Sequence, residues 1–180
     1  MYLAPQSLRL SRRLATAAVF NGLVAGTLTL AGCNNVADVT GAAPASTMIL
    51  LDGKPFTTAQ MKGKVTLVNF WATSCTTCVA EMPQIISTYQ KFEKQGFDTV
   101  AVAMSYDPPA FVVNFAETRK LPFKVAIDNT GAVARAWGDV KLTPTTYLVN
   151  KKGEIVKRYV GTPDFAAMGL LITQLLAEKA

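Results

Sequence analysis

The chain has 180 residues, 50% of them hydrophobic, enough for one domain with its own core. It contains no histidine, which removes the commonest transition-metal ligand and the commonest general base. The net charge of +6 is no nucleic-acid footprint: three of the 18 cations are Arg9, Arg12 and Arg13, leaving 15 scattered Lys and Arg against 12 Asp and Glu, a balance of +3 from Cys33 onward.

The three arginines precede an apolar stretch, Leu14–Leu30, and no acid occurs in residues 1–32. A charged region followed by an apolar one describes a secretory signal. It closes on "LAGC", Leu30 to Cys33, which resembles the bacterial lipobox: small residues at 31 and 32, then the cysteine that receives a diacylglycerol. The resemblance implies cleavage before Cys33, acylation of the new amine and a stable membrane anchor. An uncleaved apolar anchor with an incidental cysteine is the alternative. "SRRLAT" has a twin-arginine look, but the residues after the arginines are weakly hydrophobic, which favours ordinary secretion. Asn34–Ser46 is small and polar without periodicity, and is expected to be a flexible tether reaching roughly 20 Å. By resemblance to enterobacterial lipoprotein sorting, Asn34 after the cysteine leans towards the outer membrane. The domain is expected over residues 47–180.

Met48–Leu51 is a short apolar run stopped by the turn pair Asp52-Gly53. Val65–Trp71, "VTLVNFW", reads as a buried strand. The segment from Thr76 to Lys94 has Val79, Met82, Ile86 and Tyr89 at helical spacing. Pro83 is expected to kink that helix and Gly96 to stop it. Phe97–Met104 reads as a second core strand, and Pro108-Pro109 opens a helix to about Lys120. A short strand, Val125–Ile127, and a short helix, Thr130–Trp137, follow. Thr145–Val149 and Glu154–Val160 flank a tight turn and form a hairpin. Phe165, Met168, Ile172 and Leu175 mark a last amphipathic helix. The order β-α-β-α-β-α-β-β-α implies an α/β fold: parallel strands joined by crossover helices, an antiparallel hairpin at the edge, and helices on both faces of a mixed sheet.

With Cys33 committed to lipid, only Cys75 and Cys78 remain. A structural bridge across so short a loop gives little entropic stabilisation. Two thiolates without a histidine or a second cysteine pair fall short of a structural zinc site, although Cu(I) on two thiolates stays open. Redox chemistry is the third reading. Cys75 sits where strand gives way to helix, so its sulfur faces free N–H groups and the positive end of the dipole, which lowers a thiol's pKa. Cys78, one turn on, is placed to close the ring. Glu81 follows three residues after Cys78 and shares its helix face, with Cβ atoms roughly 5–6 Å apart. It is either a solvated surface residue or, in a chain without histidine, the proton acceptor for Cys78.

"VNFWATSCTTC", the "EMP" after it and "TPTTYLVNKKGEI" some way on resemble the TlpA/ResA-like membrane-tethered thiol–disulfide oxidoreductases of the redoxin superfamily. The resemblance covers about Thr47–Ala180. It implies a thioredoxin-like fold with a βα insertion held within Phe97–Gly138. It also implies a cis Thr143-Pro144 bond beside the cysteines, with the Thr143 backbone pairing with an extended substrate peptide. By the same resemblance Cys75 attacks, Cys78 resolves, and Glu81 serves as the proton relay. The implied partners are a disulfide-containing protein, such as apocytochrome c or a copper-site precursor, and a membrane electron donor; no cofactor and no nucleic acid is implied. Three positions depart from the pattern. Ser74 stands where many relatives carry tryptophan, Asn69 where thioredoxin has a buried aspartate, and Thr76-Thr77 where better-known members have Gly-Pro or Glu-Pro. Two rival functions remain at this point. Thr76 to Cys78 distantly resembles the peroxiredoxin site, implying a thiol peroxidase without its expected proline and arginine context. A Cu(I)-delivery module would need a distant histidine that the chain lacks.

Overall fold

The computed structural model describes residues 40–179. Eight strands form one mixed sheet: β1 (Gly41–Ala42), β2 (Thr47–Leu50), β3 (Pro55–Thr57), β4 (Val65–Trp71), β5 (Phe97–Ala103), β6 (Lys124–Ile127), β7 (Thr145–Val149) and β8 (Glu154–Val160). Four helices accompany them: α1 (Thr76–Phe92), α2 (Pro109–Thr118), α3 (Ala132–Ala136) and α4 (Phe165–Ala177). The spatial order is β1-β8-β7-β4-β5-β6-β2-β3. β4, β5 and β6 run parallel, and β7 joins β4 antiparallel before turning back as β8. This is the thioredoxin-like α/β fold expected from the sequence, and the stretch Phe97–Gly138 holds β5, α2, β6 and α3.

The central strands are buried on both faces, and side-chain alternation divides the core in two. Val65, Leu67 and Trp71 of β4 pack with Met82 and Ile85 of α1, Val112 of α2, and Met168 and Ile172 of α4. Val68 and Phe70 point the other way, to Val133 and Ala134 of α3, Trp137 and Tyr147. Helices therefore cover both faces. Asn69 shares its face with Leu67 and Trp71, so it is aimed at α1.

The described chain corrects the sequence reading in several places. The tether was expected to run to Ser46, but Gly41 and Ala42 pair with Ile155 and Glu154 as an edge strand. The Trp137 indole N–H donates to Ser46 Oγ at 3.1 Å, and the Ser46 N–H donates to Thr58 Oγ1 at 3.0 Å. Residues 41–46 are part of the domain; a Gly-Ala pair carries no periodicity, so its pairing is decided by the open edge of β8. β3 was not anticipated either. It is three residues long and begins at Pro55, a residue tolerated on edge strands. As expected for one helix with a proline inside it, α1 continues through Pro83, which lies on the exposed side. A 3-10 turn, Glu93–Gln95, follows, and Gly96 ends it with φ of 94°, a conformation that favours glycine. The segment 1–32, Cys33 and the first part of the tether lie outside the described residues.

Candidate active site

β4 delivers the chain to the site. It ends at Trp71, a turn closes with the Cys75 N–H donating to the Ala72 carbonyl at 3.1 Å, and α1 begins at Thr76. Cys75 is the N-cap residue: its backbone is extended, and its sulfur accepts the Cys78 N–H at 3.1 Å. The cap position is where a helix presents unsatisfied N–H groups, so the sulfur sits at the positive end of the dipole. Cys75 and Cys78 form a disulfide with Cα atoms 5.2 Å apart. Cys75 is half-buried and Cys78 wholly buried, so an incoming partner meets Cys75 first.

Glu81 is not on a solvated helix face. It is 2% exposed, one turn beyond Cys78 on the side of α1 that faces the sheet. Asn69 Nδ2 donates to Glu81 Oε1 at 3.2 Å and to Thr146 Oγ1 at 2.9 Å. Asn69 Oδ1 is buried without a hydrogen-bond partner, and so is Glu81 Oε2, the Thr162 hydroxyl lying near the carboxyl without a well-formed bond to it. Burial pushes the carboxyl up to about 7, with the Thr162 hydroxyl and the Asn69 amide pulling it partway back. A carboxyl there changes charge near neutrality, as a proton relay requires.

The second wall comes from the segment before β7. The Thr143-Pro144 bond is cis. Thr145 pairs with Phe70 in antiparallel register, so Pro144 falls opposite Trp71, at the end of the sheet from which the cysteine turn departs. Pro144 is buried and Thr143 half-buried. Among the described residues, no hydrogen bond uses the Thr143 backbone N–H or carbonyl.

Three residues near the dithiol went unremarked as site residues in the sequence. Thr146 holds the Asn69 amide that holds Glu81. A polar residue inside "VTLVNFW" signals that some buried partner must exist, though not which one. Asp107 accepts from both the backbone N–H and the hydroxyl of Thr73, and the Tyr106 hydroxyl lies 3.2 Å from Thr143 Oγ1. Their partners are 34 and 37 residues away, and no local pattern announces them. Among the described residues, no group of three or more His, Cys, Asp or Glu is arranged to hold a metal ion.

A redoxin family profile matches residues 38–168, most of the chain. The chain belongs to the redoxin family. Among curated relatives, this redoxin is 37% identical over 111 residues to the thiol-disulfide oxidoreductase ResA of Bacillus subtilis (strain 168), a match covering 62% of this chain and 61% of that protein. The match thus spans less than two thirds of that relative's length. Among solved structures, it is 42% identical to a Neisseria meningitidis protein assigned as a thioredoxin, with a TM-score of 0.70 over 76% of this chain and 90% of that one. A thiol:disulfide interchange protein of the thioredoxin family from Chlorobium tepidum TLS is 26% identical, with a TM-score of 0.69 over 77% and 97% of the two chains. Among the described residues, no helix is long and apolar enough to cross a membrane.

Proposed function

We propose that this redoxin is a thiol–disulfide oxidoreductase that works outside the cytoplasm, tethered by lipid on Cys33, and reduces disulfides in proteins. The observation that carries the reading is the division of labour within the pair: a half-exposed Cys75 capping α1, and a buried Cys78 one turn from a buried carboxyl. The kinship with proteins named thiol-disulfide oxidoreductases supports the same activity. In the forward reaction the Cys75 thiolate attacks a substrate disulfide; a bond forms between the two sulfurs and the other substrate sulfur leaves as thiolate. Glu81 takes the proton of Cys78. The Cys78 thiolate then attacks Cys75 Sγ, closes the intramolecular disulfide and expels the reduced substrate. Two electrons pass to the substrate, and a membrane-bound thiol donor restores the dithiol.

The Thr143 backbone would hold the substrate as an added strand, with the cis-proline segment as the wall of the cleft. Tyr106 and Leu142 flank that segment with 57% and 66% of their surfaces exposed, which suits a polypeptide better than a small polar disulfide. A thiol peroxidase acting through Cys78 alone is disfavoured, because that sulfur is wholly buried while Cys75 is accessible.

The test is a trap. A Cys78→Ser variant in its native membrane should accumulate mixed disulfides between Cys75 and partner proteins. Complexes on Cys75→Ser instead, or peroxide consumption by a chain with Cys78 as its only site thiol, would replace this reading with the peroxidase.

A further inference from the structure

The loop between β5 and α2 touches both walls of the dithiol cleft. Its Tyr106 reaches Thr143, and its Asp107 reaches Thr73. Asp107 is 2% exposed, yet it has no Lys or Arg within ion-pair distance among the described residues. Both its carboxylate oxygens are spent on one residue: Oδ2 accepts the Thr73 N–H at 2.6 Å and Oδ1 the Thr73 hydroxyl at 2.5 Å. Thr73 lies inside the turn that the Cys75 N–H closes on Ala72. Asp107 is itself fixed, since its own N–H donates to the Met104 carbonyl and the Met104 N–H donates to the Trp71 carbonyl, each at 2.9 Å. The corner that presents the attacking sulfur is therefore pinned by a buried anion on the neighbouring strand's loop.

We propose that Asp107 is a positioning residue for the Cys75 turn and that its unpaired charge opposes the thiolate there. This rests on the oxidoreductase reading above. Thr73 and Cys75 are two residues apart, so their Cα atoms are separated by at most about 7 Å. A carboxylate bonded to the Thr73 N–H then lies within roughly 14 Å of the Cys75 sulfur, and because it is buried its field is screened less than that of an exposed charge. The other charged groups on the surrounding elements do not cancel it. Glu81 of α1 has the same sign or none, Lys141 and Asp139 before the cis bond pair with each other at 2.9 Å, and Arg119 just beyond α2, which lines the same depression as Thr73, is exposed and so screened by solvent. The helix N-terminus lowers the Cys75 pKa, and Asp107 holds it up. A less stable thiolate makes the dithiol less favoured against the disulfide, which biases the pair towards donating electrons.

Two variants of the full-length chain separate charge from geometry. Asp107→Asn can still accept the Thr73 N–H and donate to its hydroxyl, but carries no charge. Thr73→Val keeps the charge and loses the hydroxyl bond. Each is compared with wild type in a Cys33→Ser, Cys78→Ser background, so that thiolate ultraviolet absorbance titrates Cys75 alone, and in a Cys33→Ser background that keeps Cys75 and Cys78 for the glutathione equilibrium. Asp107→Asn should lower the Cys75 pKa by about half a unit or more and, at a pH above that pKa, shift the glutathione equilibrium about threefold towards the dithiol, about 15 mV for this two-electron couple. Thr73→Val should show no such fall, while the thiolate-corrected rate of Cys75 attack drops by about threefold or more. A Cys75 pKa in Asp107→Asn within about 0.2 of wild type, or an equal fall in Thr73→Val, overturns the charge argument. A wild-type attack rate in Thr73→Val overturns the positioning one. A wild-type pair that never equilibrates with glutathione overturns the oxidoreductase reading itself. A wild type that equilibrates, with Asp107→Asn unchanged, sinks this inference alone.

Discussion

Replacing Glu81 with glutamine should stabilise the oxidised protein above neutrality while slowing its chemistry. Desolvation holds the folded carboxyl at about 7, against an ordinary value of 4.5. A group whose folded pKa is raised contributes its full stability below the unfolded value and loses it as pH rises through the folded one. The gap is worth about 3 kcal/mol at 1.36 kcal/mol per pKa unit, lost progressively between about pH 4.5 and pH 8. Glutamine has no charge to desolvate. Its carbonyl can still accept the Asn69 amide, and its own amide replaces the oxygen that is already unpartnered. Urea unfolding of both proteins from pH 5 to 8.5 isolates the residue, because every other titrating group is common to the two. The gap should be under about 1 kcal/mol at pH 5 and widen to about 3 kcal/mol in favour of glutamine by pH 8.5. Parallel pH profiles would mean that Glu81 ionises as easily folded as unfolded, and would refute the desolvation argument. In the same variant the decay of a Cys75 mixed disulfide should slow by up to about 100-fold near pH 7 and recover as pH rises, since Cys78 then ionises unaided. A wild-type decay rate at pH 7 would leave Glu81 without a role in proton transfer.

Mass spectrometry of the mature protein should find Cys33 as an acylated N-terminus; a free Cys33 thiol or an intact 1–32 segment would exclude the anchor. Equilibrium with glutathione should place the Cys75–Cys78 couple nearer thioredoxin's about −270 mV than DsbA's about −120 mV, and a value above about −180 mV would reverse the proposed direction. Asn69→Ala should destabilise the fold by about 1–3 kcal/mol, because it strips the Glu81 carboxyl of its amide donor and leaves a gap in a wholly buried strand. It should also raise the Glu81 pKa, so the stability lost in that variant should be larger at pH 8 than at pH 5; an equal loss at both would show that the amide does not support the charge.

The central elements were legible because they are local and strongly patterned. "VTLVNFW" is a buried strand whatever surrounds it, α1 repeats its apolar residues at helical spacing, and the Thr145–Val160 hairpin is announced by its turn. The cysteine pair is legible for the same reason, since spacing within one helical turn puts both sulfurs within reach of one another before any tertiary contact forms. The edges were not. Gly41–Ala42 and Pro55–Thr57 have no intrinsic preference strong enough to declare a strand, and they become strands only because β8 and β2 offer unpaired backbone groups. The helical spacing of Cys78 and Glu81 was fixed in the chain, but spacing alone left the carboxyl either in water or in the core. Packing of α1 onto β4 decided it, and with it the carboxyl's pKa, because desolvation depends on what lies over a group rather than on what adjoins it. The Asp107 clamp belongs wholly to the tertiary structure: parallel pairing of β4 with β5 brings together two loops 34 residues apart, and only then does an aspartate in one become the anchor of a cysteine turn in the other.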